Sequence, residues 1–172
     1  TEADAGPDKG VCGTSTTLEG NTPTVGMGTW TQLSGPTIAT FVDENLATTT
    51  VENLLVNTTY FFIWTIENGG CEPSRDTVGI ATSSQPELAD AGDDIGICGA
   101  SSTTLAANVV ADGYWTVISG PNTPSFSDNT SPTATISNLV FGTYILQWNS
   151  RAGGFCPIET DQMELEVVPS AN

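Results

Sequence analysis

Histidine is absent from this sequence of 172 residues, and basic residues are nearly absent. Without histidine, the chain cannot build Ser-His or Cys-His nucleophile pairs, and it also lacks the CxxC spacing typical of zinc sites. Three basic residues against twenty acidic ones leave a net charge of −17. Such a surface repels phosphate backbones, whose binding depends on Lys and Arg. The sequence therefore excludes nucleic-acid binding, and acid–base catalysis would have to rely on carboxylates alone.

Long apolar runs are missing as well. No stretch approaches the roughly 18 apolar residues of a membrane-spanning helix, so we expect no membrane insertion. The sequence contains no charged-then-apolar N-terminal signal, and its opening "TEADAG" already lies inside a repeat. We therefore expect a monomeric fragment of a longer protein. No acidic pair stands in an apolar setting that would raise its pKa, so we also expect no enzymatic activity.

The sequence repeats itself. "GTWTQLSGP" at Gly28 returns as "GYWTVISGP" at Gly113 with six identities, and "ADAGPDKGVCG" at Ala3 returns as "ADAGDDIGICG" at Ala89. The offsets stay between 84 and 87 along the chain, which indicates short loop insertions between fixed strands. The sequence thus predicts two copies of one unit. We place them at residues 1–85 and 86–172, with the boundary in "SSQPELAD".

Short segments rich in Thr, Val, Ile and aromatic residues, bounded by Gly, Pro, Asn and Asp, predict strands throughout. "TYFFIWTI" alternates apolar residues on one face, namely Tyr60, Phe62, Trp64 and Ile66. No 3.6-residue apolar periodicity lasts long enough for a helix. The predicted fold is all-β: two tandem immunoglobulin-like antiparallel β-sandwiches of about seven strands each, arranged end to end.

Four tryptophans, Trp30, Trp64, Trp115 and Trp148, stand at matched positions in the two copies. Buried aromatic residues carry much of the stability of a small core. Tryptophans that stack on carbohydrate would instead be exposed. Their recurrence at matched positions favours the core.

Each copy has one early and one late cysteine. Four cysteines allow three pairings, and bonds within each copy, Cys12–Cys71 and Cys98–Cys156, are the most economical of these. Closing loops of this length would stabilise each copy by about 4 kcal/mol in the chain-entropy model. Disulfides in turn predict an oxidising compartment, outside the cell or on its surface.

The repeated "DAGPD" and "DAGDD" allow two interpretations. Asp and Gly can simply shape an entry turn, because the Asp side chain bonds nearby backbone N–H groups. Alternatively, closely spaced carboxylates can bind calcium, a hard cation that takes six to eight oxygen ligands. The candidate calcium ligands are Asp4, Asp8, Glu87, Asp90, Asp94 and Asp112. Asp112 aligns with Met27, so the first copy would bind calcium more weakly or not at all.

The whole pattern of D-A-G-x-D, paired cysteines and W-x5-P resembles the tandem PKD-like, immunoglobulin-like repeats of very large secreted adhesins in Bacteroidota. These include gliding-motility adhesins exported by the type IX secretion system. The resemblance covers nearly all of both copies. It implies β-sandwiches stacked in long arrays, display on the outer cell surface, and no enzymatic activity.

Two functions remain open at this point. The first is a structural stalk, in which neighbouring repeats of the same long chain space and present an adhesive tip. The second is a binding module that contacts a surface polysaccharide, another glycan or a protein through loops or an exposed strand face. A stalk predicts a polar, Thr-rich surface, whereas a glycan-binding module predicts a cluster of exposed aromatic residues.

Overall fold

The computed structural model describes residues 1–171, and in this range the chain is all β-strand, turn and loop. Its internal contacts divide it into two compact units. The first unit contains Thr1–Gln85 together with Gly153–Cys156, and the second contains Pro86–Ala152 and Pro157–Asn172. No helix within residues 1–171 is long and apolar enough to cross a membrane.

The first unit is a sandwich of two sheets. Its strands are β1 Lys9–Cys12, β2 Thr16–Glu19, β3 Met27–Ser34, β4 Thr40–Phe41, β5 Thr48–Glu52, β6 Thr59–Glu67 and β7 Ser74–Ser83. One sheet has the strand order β1-β7-β6-β3, and the other has the order β2-β5-β4.

The second unit repeats this plan strand for strand. Its strands are β8 Ile95–Cys98, β9 Ser102–Thr104, β10 Gly113–Ser119, β11 Ser125–Phe126, β12 Thr135–Ser137, β13 Gly142–Ser150 and β14 Glu159–Val168. The sheet orders are β8-β14-β13-β10 and β9-β12-β11. The predicted all-β fold of two seven-stranded sandwiches is confirmed.

Alternation along the central strand β6 builds the first core. Tyr60, Phe62, Trp64 and Ile66 are all buried, as the period of two predicts, while the residues between them point away from the core. Strand β13 does the same in the second core with Tyr144, Leu146 and Trp148.

Two strand pairings depart from the predicted antiparallel arrangement. Strand β1 runs parallel to β7, with Cys12 opposite Ser83, and β8 runs parallel to β14, with Cys98 opposite Val168. The physical reason lies in the tight passage from β1 to β2. Only residues 13–15 separate them, yet they belong to different sheets, so β1 pairs with the last strand of the copy instead of forming a hairpin with β2. Gly13, at a φ of 101°, allows this change of sheet.

Candidate functional site

The cysteine pairing differs from the one predicted. Cys12 is bonded to Cys156, with 4.8 Å between their Cα atoms, whereas Cys71 and Cys98 are exposed free thiols. The predicted pairs Cys12–Cys71 and Cys98–Cys156 are therefore wrong.

The parallel first strand explains why a bond within one copy cannot form. Cys12 lies opposite Ser83, the last residue of β7, while Cys71 precedes the first residue of β7 by three positions. Ten residues at about 3.3 Å each place the two ends of this strand about 30 Å apart. The Cα atoms of a disulfide lie about 4.4–6.8 Å apart. The second copy has the same arrangement, with Cys98 opposite the last residue of β14 and Cys156 three positions before its first.

The segment Gly153–Cys156 lies on the edge of the first sandwich, close to the disulfide. The backbone N–H of Phe155 donates a hydrogen bond to Oγ of Ser83 at 3.1 Å. Gly154 has a φ of 64°, and a Cβ atom there would come within 2.0 Å of the same Oγ. The ring of Phe155 covers Gly10, where a Cβ atom would lie 2.0 Å from Cδ1 of the ring. Glycines at positions 10 and 154 therefore make this close approach possible.

Among residues 1–171, no segment covers the equivalent edge of the second sandwich. Gly96 and Cys98 occupy the positions of Gly10 and Cys12 in the repeat. A Cβ atom at Gly96 would meet no atom of the described residues within 4 Å, and Cys98 is exposed. The φ angle of Gly96 is not among the positive ones, so its own backbone does not require glycine.

The aspartates of the repeated D-A-G-x-D motif accept backbone hydrogen bonds at matched places. Oδ1 of Asp4 accepts from the N–H of Gly6, and Oδ1 of Asp90 accepts from that of Gly92, both at 2.9 Å. These bonds close Asx turns, in which the side chain replaces a backbone acceptor.

The second aspartate of each motif extends the strand pairing. Oδ1 of Asp8 accepts from the N–H of Gly79 in β7 at 2.6 Å, and Oδ1 of Asp94 accepts from that of Glu164 in β14 at 2.7 Å. Both aspartates lie just before the first strand of their copy, where that strand supplies no backbone acceptor. All four aspartates thus hold the entry of the chain into its sandwich.

Within residues 1–171, no group of three or more acidic, cysteine or histidine side chains is placed to hold a metal ion. Of the other two candidate ligands, Glu87 is exposed, and Asp112 lies 4.0 Å from Nε of Arg151.

Asp128 forms a turn outside the candidate sites. Hydrogen bonds from the hydroxyl and the N–H of Thr130 hold the pKa of Asp128 below its ordinary value.

All four tryptophans lie in the cores. Trp30 and Trp64 are at most 1% exposed, with ring centroids 5.0 Å apart, and Trp115 and Trp148 repeat this pair at 5.1 Å. They are therefore not available to stack on a sugar.

The repeated Ser-Gly-Pro turn also serves the fold. A Cβ atom at Gly35 would lie 2.2 Å from the buried ring of Tyr60, and one at Gly120 would lie 2.3 Å from that of Tyr144. Glycine lets the backbone pass directly over the tyrosine ring in each copy. This close approach explains why the glycine of the Ser-Gly-Pro turn recurs.

Exposed aromatic residues in the first unit border one shallow depression of about 300 Å³. Phe61 and Phe155, which are 40% and 54% exposed, line this depression together with Gly10 and Gly79. Sequence reasoning missed this surface because Phe155 comes from a segment about 70 residues after the end of β7 and about 140 residues after the end of β1.

No protein-family model matches this sequence, and no curated protein matches it. Among solved structures, extracellular domains 3–5 of Drosophila OTK are similar over 94% of this chain and 59% of that chain, with a TM-score of 0.57 and 15% identity. The chain thus spans about three fifths of that structure. At this identity the likeness concerns the fold alone, and it places both units among tandem immunoglobulin-like sandwiches.

Two further likenesses have lower TM-scores and carry no argument. The PKD domain from KIAA 1837 protein is 29% identical over 48% of this chain and 86% of that chain, with a TM-score of 0.43. The fibronectin(III)-like modules of Clostridium thermocellum CbhA are 10% identical over 95% of this chain and 90% of that chain, with a TM-score of 0.42.

Proposed function

We propose that this chain supplies non-catalytic stalk repeats to a large extracellular surface adhesin, where they space and present an adhesive tip. The parent protein would be of the PKD-like repeat type that the sequence resembles, the type found in gliding-motility adhesins of Bacteroidota. Its neighbours would then be further copies of the same repeat.

One observation carries this proposal: the tryptophans, the Ser-Gly-Pro glycines and the D-A-G-x-D aspartates that recur in both copies serve the fold. The tryptophan pairs are buried, the repeated glycines make room for tyrosine rings, and the repeated aspartates accept backbone hydrogen bonds. Exposed aromatic residues do not recur. Phe61 aligns with Ile145, Phe141 aligns with Val56, and Phe155 has no counterpart. A repeat selected for a shared binding site would be expected to keep its exposed residues.

A location outside the cell is supported by the disulfide between Cys12 and Cys156. Disulfides persist in oxidising compartments and are rare where thiols are kept reduced. The acidic surface, with a net charge of −17, also favours solubility.

A second candidate, glycan binding, is favoured by the depression between Phe61 and Phe155. Two exposed aromatic rings that line one depression are suited to stacking on a sugar ring. Because this surface has no aromatic counterpart in the other copy, we rank it second.

A glycan array with the purified chain separates the two functions. The stalk proposal expects no saturable binding on any glycan, and it expects a Phe61→Ser variant to behave identically. Saturable binding that is lost in Phe61→Ser would overturn the stalk proposal and establish the binding module. As a positive test, exchanging residues 1–172 for an unrelated pair of sandwiches should leave adhesion by the parent protein intact.

Calcium binding near Asp90 and Asp94 stays a proposal. Each carboxylate engages one oxygen with a backbone N–H, which leaves its second oxygen for a cation. Calorimetric titration with calcium should then give saturable heat that disappears in an Asp90→Ala, Asp94→Ala variant. A trace with no saturable heat from the unsubstituted chain would reject the calcium site.

A further inference from the structure

The two free cysteines occupy the same positions in the repeat as the two bonded ones. Cys98 occupies the position of Cys12, the early cysteine of its copy. Cys71 occupies the position of Cys156, the late cysteine, and both late cysteines follow a pair of glycines. The existing bond therefore joins the early cysteine of one sequence copy to the late cysteine of the next. Cys98 is an early cysteine with a free thiol, and Cys71 is a late cysteine with a free thiol.

Neither free cysteine can form a disulfide with the other cysteine of its own copy. The early and late cysteines of a copy lie at opposite ends of its last strand, about 30 Å apart at the usual rise per residue. This separation follows from the parallel pairing of the first strand, which is the same in both copies.

A second observation, independent of the thiols, concerns the glycine two residues before each early cysteine. Gly10 is covered by Phe155, and its missing side chain is what permits the contact. A Cβ atom at Gly96 would find no neighbour within 4 Å in the described part of the chain. Gly96 also lies in a strand, where glycine weakens pairing. The fold of the second copy does not require glycine here. A segment that arrives as Gly153–Cys156 arrives in the first unit would require it.

We propose that Cys98 forms a disulfide with the late cysteine of a following copy, and Cys71 with the early cysteine of a preceding copy. The partner is a second copy of this repeat, which offers a cysteine preceded by Gly-Gly or Gly-Gly-Phe. A continuous series of disulfides would then run from copy to copy. The inference rests on the proposed function only in requiring that copies of the repeat adjoin one another.

The bond forms by thiol–disulfide exchange with a low-molecular-weight disulfide such as oxidised glutathione. The thiolate of Cys98 attacks one sulfur of that reagent and releases one thiol. The thiolate of the partner cysteine then attacks Sγ of Cys98 and releases the second. Two cysteine thiols lose two protons and two electrons, and the reagent gains them as two thiols.

The test uses two full-length variants, Cys71→Ser and Cys98→Ser, each with one free thiol. Both substituted residues are exposed and unpaired, so both variants keep the Cys12–Cys156 bond. One variant is labelled with ¹⁵N, the two are mixed in equal amounts in a glutathione buffer, and disulfide-linked dimers are counted by mass spectrometry.

Random reaction of exposed thiols would give the mixed Cys98–Cys71 dimer and the two like dimers in a ratio of about 2:1:1. We expect the mixed dimer to exceed each like dimer about tenfold. A Gly96→Val substitution in the Cys71→Ser variant should remove most of this excess, because valine fills the receiving surface. A random ratio, an excess of like dimers, or no effect of Gly96→Val would overturn the proposal.

A fusion of two complete chains in a row provides the second measurement. The linker between the two chains has six residues, 169–172 followed by 1 and 2, counted from Val168 to the next Ala3. The natural linker from Ser83 to Ala89 has five, residues 84–88, so the two linkers are of similar length. Each of the two chains in the fusion contributes four cysteines, and its Cys12–Cys156 bond takes up two of them. Four thiols are then left in the whole fusion. After oxidation, two alkylatable thiols should remain if the new bond forms, whereas four would refute it.

The fusion distinguishes failure of the stalk function from failure of the series of disulfides. A fusion that forms the new bond but binds a glycan overturns only the stalk function. A fusion that keeps four free thiols and binds no glycan overturns only the series of disulfides.

Discussion

Replacing Gly10 by alanine, which adds one β-carbon, should make the disulfide between Cys12 and Cys156 easier to reduce. In Gly10→Ala the new Cβ atom would lie 2.0 Å from Cδ1 of Phe155 and 2.2 Å from Cε1 and Cγ. Carbon atoms in good contact lie about 3.5–4.0 Å apart, so the ring has to move by roughly 1.5 Å or more. Because Phe155 is 54% exposed, the ring can swing away, and the chain still folds.

The size of the effect follows from the burial of the ring. Burying a whole phenylalanine side chain stabilises by about 1.5–3 kcal/mol, and Phe155 is a little less than half buried. Losing this contact costs about 1 kcal/mol, which corresponds to a roughly fivefold change in an equilibrium constant. We therefore expect the Cys12–Cys156 bond of Gly10→Ala to be about fivefold easier to reduce, a shift of about 20 mV.

The assay equilibrates each protein in a series of glutathione buffers, traps thiols by alkylation, and counts the oxidised fraction by mass spectrometry. Gly96→Ala is the matched control, since a Cβ atom there meets none of residues 1–171 within 4 Å. Phe155→Ala should weaken the bond to a similar extent, and adding Gly10→Ala to it should have little further effect, because the two changes remove one contact. Equal equilibria for Gly10→Ala and Gly96→Ala would refute the reasoning.

Two further predictions concern the cysteines and the cores. Maleimide should label two thiols in the native chain and four after reduction, and a peptide map should show Cys12 linked to Cys156; a peptide that joins two cysteines of one copy would contradict this. In urea unfolding, Trp64→Phe should cost about 1 kcal/mol more than Trp148→Phe. The reason is that Nε1 of Trp64 donates to Asn21 at 3.1 Å, whereas Nε1 of Trp148 has no partner among residues 1–171. Equal costs would show that the hydrogen bond adds nothing.

The sequence predicts the sandwiches because repetition and alternation are properties of residue order. A motif that returns after 85 residues requires two equivalent units, and apolar residues at every second position of "TYFFIWTI" require a strand with one buried face. Both inferences need only the order of residues along the chain. They led to the correct fold class and to the correct buried face of β6.

The cysteine pairing could not be obtained in the same way, because it depends on the direction of one short strand. "KGVC" has four residues, too few for their pattern to specify a parallel or an antiparallel neighbour. Once β1 runs parallel to β7, Cys12 lies a full strand length from Cys71, and the economical pairing fails. One feature of the sequence could have pointed to the outcome: a glycine precedes the early cysteine by two positions in both copies, within a strand and not in a turn.

The last prediction separates the structural role of the aspartates from metal binding. In Asp8→Ala the N–H of Gly79 loses its acceptor at 2.6 Å, and leaving such a group unpaired costs about 1–3 kcal/mol when it is buried. Asp8→Asn keeps a side-chain oxygen that can accept the same hydrogen bond, so it should recover most of the loss. Calcium should not change either result, because the backbone bond needs no cation. Urea unfolding of the three proteins, with calcium and with chelator, measures these differences. Destabilisation by Asp8→Asn as large as by Asp8→Ala, and only in the presence of calcium, would assign Asp8 to a metal site and not to the strand edge.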